Sequence, residues 1–181
     1  MEGSLEIQRK RVEKRVESVL RLSLALQAEC ICSAVELSLP VLKQHAHADR
    51  IFELIIQMIG CFNRWLAREA GDAELYSARE GLLAAVPNDL TEQTDPRAGM
   101  LGFAALDIAV IALNDAADVH DSILWTAISY AAGAACMRVE LPYVVGTETL
   151  TEKELEFLSR WWSLCCDRVP QLEDEETENR D

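Results

Sequence analysis

The chain has 181 residues, enough for one domain with a sizeable core, and its 50% hydrophobic content excludes wholesale disorder. Eight glycines and five prolines exclude a fibrous or loop-dominated chain. The net charge of -14 is uneven: residues 1 to 21 carry six Lys/Arg against four Glu, residues 171 to 181 one Arg against six acids, and direct binding to nucleic acid or an anionic membrane is disfavoured in favour of a basic protein partner.

Apolar residues recur at helical spacing almost throughout, which predicts an all-α fold: a compact bundle of about six or seven helices with antiparallel neighbours. The expected single domain covers 1–170, followed by an acidic tail over 171–181. The first helix is expected from Ser4 to about Ala28, with a charge-mixed opening that turns apolar at Val19, Leu20 and Leu22. The second, Glu29 to about Gln44, holds Pro40, which should bend or restart it. The third begins at Asp49 as a cap and carries a broad apolar stripe through Ile51, Ile55, Met58, Phe62 and Leu66, which places it at the centre.

A fourth helix is expected over Asp72 to Val86, then a polar loop over Pro87 to Asp95. In "TDPRAG", Asp95 caps and Pro96 takes the first helical position, where its missing N–H costs nothing. This fifth helix is apolar on nearly every face except at Asp107, and it reaches Leu113. The sixth, about Asp118 to Glu140, is rich in small residues that permit close helix approach. Capping-box spacing at Thr149 or Thr151, with Glu152 or Glu154, opens the seventh, which runs to Pro170.

The six cysteines form no CxxC pair and sit in apolar helical patterns, as buried, reduced core fillers would. The polar start offers no signal peptide, and the apolar runs at Leu101–Leu113 and Ile123–Met137 are too short or too polar to span a bilayer; the expectation is a soluble, cytoplasmic protein.

"LNDAADVHDSILW", Leu113 to Trp125, concentrates titratable residues and raises three readings: metal site, His-Asp pair or acidic contact surface. On a continuous helix Asp107, Asp115, Asp118 and Asp121 would form one stripe with His120 on the other side. A break around Asn114 to Asp118 fits better, with Asp118 or Ser122 capping the next helix. The His120-Asp121 dipeptide matches the metal-binding letters of HD phosphohydrolases, yet that chemistry needs further ligands. Upstream, His45 and His47 lie more than seventy positions away.

His45 and His47, at i, i+2, diverge, and no HExxH, GxSxG, P-loop or GxGxxG occurs. Trp161 and Trp162 are adjacent and cannot both face one core, so one is a candidate for an interaction surface or for a large amphipathic side chain covering the rim of the core. No catalytic residue, metal or cofactor is assigned.

The stretch Leu26 to Val86 resembles the first half of the all-helical immunity proteins of bacterial polymorphic toxin systems. The resemblance rests on a helix ending in Leu39-Pro40, a charged turn at Asp49-Arg50, an apolar helix finishing in Trp65-Leu66 with Glu69, and an Ala-rich helix over Ala78 to Ala85. Paired Ala-rich helices follow, here Phe103 to Ala117 and Ile123 to Cys136.

What the resemblance implies is a small acidic protein with no reaction of its own. Such a protein occludes a cognate toxin, often a nuclease or nucleic-acid-modifying enzyme with a basic cleft. The expected contacts are Asp107, Asp115, Asp118 and Asp121, with Glu173, Asp174, Glu175 and Glu176 as a second patch. The other readings are a metal-dependent HD-type hydrolase using His120 and Asp121, and a non-catalytic helical scaffold or regulatory subunit.

Overall fold

A computed structural model describes residues 2–44, 49–86, 96–114, 120–136 and 150–172. Among these residues there are seven helices and no strand: α1 (Glu2–Leu20), α2 (Leu24–Leu42), α3 (Asp49–Leu66), α4 (Asp72–Leu83), α5 (Pro96–Ala112), α6 (His120–Ala135) and α7 (Glu152–Arg168). The protein is an all-α bundle.

The centre is α2, α5 and α6, which pack most extensively on one another. Small side chains make this possible. Ala104, Ala105 and Ala109 of α5 and Ala127, Ala131 and Ala132 of α6 are all fully buried, so the helix backbones approach closely. Where α2 meets α6, the Ser38 hydroxyl lies 2.9 Å from Ala34 O and 2.8 Å from Ala131 O, which satisfies a buried polar group at the contact. α2 is the one described helix long and apolar enough to cross a membrane, and its Gln27–Val35 stretch is wholly buried against its neighbours.

α3 and α4 pack on one side of α5, and α7 and α1 lie on the opposite side, against α2. The expectation that α3 is central is therefore corrected. It buries Ile51, Ile55, Met58, Ile59 and Phe62 but turns Glu53, Ile56, Gln57 and Arg64 outward, as befits a flanking amphipathic helix.

The first helix boundary also differs from expectation. The chain breaks at residues 21–23 instead of running to Ala28. No glycine or proline marks the break; the Gln27 side-chain amide makes it possible by donating to Leu20 O (3.2 Å) and Leu22 O (2.9 Å), two carbonyls left open where α1 ends. Pro40 does not restart α2, which continues to Leu42 with the proline in its last turn. α4 ends at Leu83, and Ala84 to Val86 form a turn.

Several helix ends follow from local chemistry. Thr151 N–H and the Thr151 hydroxyl both donate to Glu154 Oε2 (2.8 and 2.7 Å), and Glu154 N–H returns a bond to Thr151 Oγ1 (3.3 Å), the capping box that opens α7. α3 closes in a Schellman turn: Arg68 takes a φ of 63°, its N–H donates to Trp65 O (2.9 Å), and Glu69 N–H reaches back to Arg64 O (2.7 Å). α5 closes similarly at Asn114, with a φ of 53°, so the expected break after Leu113 is present. Ser122 lies inside α6, which begins at His120, so it is not the residue that precedes the helix; its carbonyl accepts from the Thr126 hydroxyl at 2.7 Å, and Asp118 lies outside the described residues.

Leu172 is almost completely buried and its N–H donates to Val169 O at 3.0 Å, so the packed body reaches two residues into the stretch read as tail. α4 and α5 run antiparallel, with Val86 beside Gly102 and Arg79 acting on Asp107. A Cβ on Gly102 would stand 2.6 Å from Val86 Cγ2, a short β-branched side chain that cannot swing clear.

Gly102→Ala is therefore expected to destabilise the fold by about 1–3 kcal/mol despite the better helix propensity of alanine. Gly81→Ala, on the exposed face of α4 with open space around the new methyl, is expected to stabilise by about 0.5–1 kcal/mol. Urea midpoints moving in the same direction for the two variants would contradict this packing.

Candidate functional site

α2 reads "ECICSAVE" over Glu29 to Glu36, and the polar positions Glu29, Ser33 and Glu36 recur at i, i+4 and i+7, on one face of an otherwise apolar helix. That face meets the last turn of α7. Arg168 Nη1 stands 3.3 Å from Glu29 Oε1 and 3.3 Å from Ser33 Oγ, and Nη2 donates to Glu36 Oε2 in a short charge-assisted bond. Glu29 is buried, its Oε2 has no hydrogen-bond partner, and burial pushes its pKa up while the Arg168 charge pulls it down.

Beside this cluster, the Trp161 indole N–H donates to Cys30 O at 2.8 Å, and the buried Cys165 thiol lies against the same carbonyl. Burial raises the Cys32 and Cys165 thiol pKa values, which suppresses the thiolate and makes them poor nucleophiles or ligands. All six cysteines are free thiols, four buried and two half-buried, as core fillers are. Two carboxylates converging on one guanidinium make an interhelical clamp. The sequence reading missed it, although the i, i+4, i+7 spacing was the available signal.

Trp161 and Trp162 are both buried, which corrects the expectation that one of the two faces outward. α7 is packed on two sides: Trp161 turns into α2, and Trp162 is covered by α1, whose Arg15 guanidinium lies 5.4 Å from the Trp162 ring centroid. Between α1 and α7 runs a groove of about 310 Å³, with Val12 and Leu155 at its apolar floor and Arg11, Gln8, Glu152 and Glu156 along its rim.

Of the acids expected to contact a partner, Asp107 is the one whose side chain is described. It is half-buried on α5, where burial raises its pKa to about 7 against the opposing pull of Arg79 on α4. Arg79 in turn lies over the Tyr76 ring and 3.6 Å from Glu80. Asp107 thus sits under α4 instead of on an open acidic face. Asp121 falls in the first turn of α6, next to His120, and the side chains of both are outside the description. Asp115, Asp118, Glu173, Asp174, Glu175 and Glu176 lie outside the described residues, as do His45 and His47. Among the described residues no group of three His, Cys, Asp or Glu is placed to hold a metal.

The charge divides sharply along the chain. The described residues contain 18 acids against 15 Lys/Arg, close to balance. The remaining 13 acids, against two Arg, fall in the segments that join α4 to α5, α5 to α6 and α6 to α7, and after Leu172. No protein-family model, curated protein or solved structure matches the chain.

Proposed function

We propose that this protein acts by binding: that it is a cytoplasmic immunity protein that occludes a cognate bacterial toxin domain, a nuclease or nucleic-acid-modifying enzyme with a basic cleft. The observation that supports this reading is the division of charge. The described residues are nearly neutral, with 18 acids against 15 Lys/Arg, while eleven of the fourteen net negative charges fall in the segments that join α4 to α5, α5 to α6 and α6 to α7, and after Leu172. An excess of negative charge of this size acts on the encounter rate and selectivity toward a basic partner.

In this reading Asp115, Asp118, Asp121 and the run Glu173 to Glu176 make the contact. Asp107, beneath α4, serves the fold. The test is co-expression with the toxin encoded beside this gene, where growth is expected to be rescued. Neutralising the seven contact acids to Asn and Gln should slow association about tenfold or more at low salt, leaving helical circular dichroism unchanged. Failure of the intact protein to rescue growth would overturn the reading.

A further inference from the structure

Four of the five large apolar side chains that stand exposed among the described residues, Ile56, Leu66, Tyr76 and Leu83, belong to α3 and α4. α3 buries one stripe, through Ile55, Met58 and Phe62, and leaves the opposite side open to solvent. Seen down the axis at about 100° per residue, with Gly60 as zero, Ile56 and Asn63 fall about 40° and 60° to one side, and Glu53 and Arg64 about 20° and 40° to the other. All four of these side chains are exposed, and a Cβ on Gly60 would meet nothing within 4 Å. Arg64 Nη1 donates to Gly60 O of its own helix at 3.4 Å, and among the described residues neither Glu53 nor Arg64 has an ion-pair partner.

This face is complementary to itself under one symmetry. Two copies of α3 related by a two-fold axis that crosses them near Gly60 run antiparallel, and such an axis sets each flank against the same flank of the other copy. Glu53 lies seven residues before Gly60 and Arg64 four after it, so each Glu53 comes opposite the Arg64 of the other copy, twice by symmetry. On the other flank Ile56 comes beside Asn63 of the second copy, over the open backbone at Gly60, which leaves room for its side chain. A parallel pair would instead set the charged flank against the apolar one. α3 as a whole carries Asp49 and Glu53 against Arg50 and Arg64, so this helix is neutral in a chain of net charge -14.

We propose that the outward face of α3 docks a second copy of this chain, antiparallel about Gly60, with Glu53 of each copy paired to Arg64 of the other. A single helix pair buries less than the roughly 800 Å² per partner of a standard stable interface, so the dimer is of the weak, reversible class. It does not depend on any partner of the acidic segments being a toxin.

Sedimentation equilibrium of the intact protein, from about 10 µM to about 1 mM, tests it, and a monomer–dimer equilibrium within that range is expected. Glu53→Arg and Arg64→Glu each set like charges together at both symmetry-related pairs, so each should weaken self-association by about tenfold or more with helical circular dichroism unchanged. Mixing the two variants puts opposite charges back at both pairs, and the mixture should associate as well as the parent. Gly60→Leu, which in the single chain starts from a Cβ in open space, should abolish the dimer without lowering the melting temperature. A parent chain that stays monomeric at the highest concentration, single reversals that dimerise like the parent, or a mixture that fails to associate would overturn the proposal.

Discussion

Replacing Asp107 with asparagine is expected to stabilise the protein at pH 8 and to change it little near pH 4. In the folded chain the Asp107 carboxyl keeps its proton up to about pH 7, because burial in α5 penalises the charge more than Arg79 rewards it. In the unfolded chain it ionises near its ordinary value of 3.8. Between those values the folded state binds more protons, so the Asp107 contribution is fully present below about pH 4 and is lost as pH rises through 7.

The full shift would allow a ceiling of about 4 kcal/mol; a half-buried site that can relax should yield about 2 kcal/mol at pH 8. Urea unfolding of both proteins at pH 5 and pH 8 measures the difference, and the other carboxylates cancel in the comparison. An asparagine variant no more stable than the parent at pH 8 would contradict the burial of this charge.

The second large effect belongs to the α2–α7 clamp. Arg168→Leu removes the one cation shared by Glu29 and Glu36 and leaves the buried Glu29 carboxylate with no compensating charge there. A loss of about 2–4 kcal/mol at pH 8 is expected, toward the lower end because Arg168 is partly exposed to solvent. Glu29 already has a folded pKa above 4.5, and loss of Arg168 raises it further, so the deficit should shrink as pH falls toward 4.5 and the carboxyl takes up its proton. Glu29→Gln should recover part of the loss in the double variant, since a neutral amide needs no cation. Additive losses in the pair would show that the two side chains do not act together.

Where helix ends depend on a few adjacent residues, they were legible in the sequence. Thr151 and Glu154 cap α7, Pro96 opens α5, and the left-handed Asn114 ends α5 just past Leu113, each by interactions within one turn. Segment periodicity likewise indicated six or seven helices, and seven stand among the described residues, because a 3.6-residue repeat needs no knowledge of the partner helix. The α1–α2 break was not legible: its cap comes from Gln27, several residues along, and no proline or glycine announces it.

Of the acidic site, residue identity and net charge were readable, and environment was not. Asp107 looked like a member of a surface stripe, yet its fate depends on α4 crossing over it with Arg79. Trp161 and Trp162 looked incompatible with one core. They are both buried because α7 has a helix on each side, a fact about packing partners that adjacent letters do not contain.

By itself, then, the amino-acid sequence determined the helical class, most helix boundaries and the place of the excess negative charge along the chain, since these follow from local backbone chemistry and composition. The tertiary structure alone decided which helices form the centre, that Glu29, Ser33 and Glu36 meet Arg168, and that Asp107 trades solvent for burial. Those outcomes arise from contacts between residues distant in sequence, whose energies come from the shared removal of water at an interface that neither segment possesses alone.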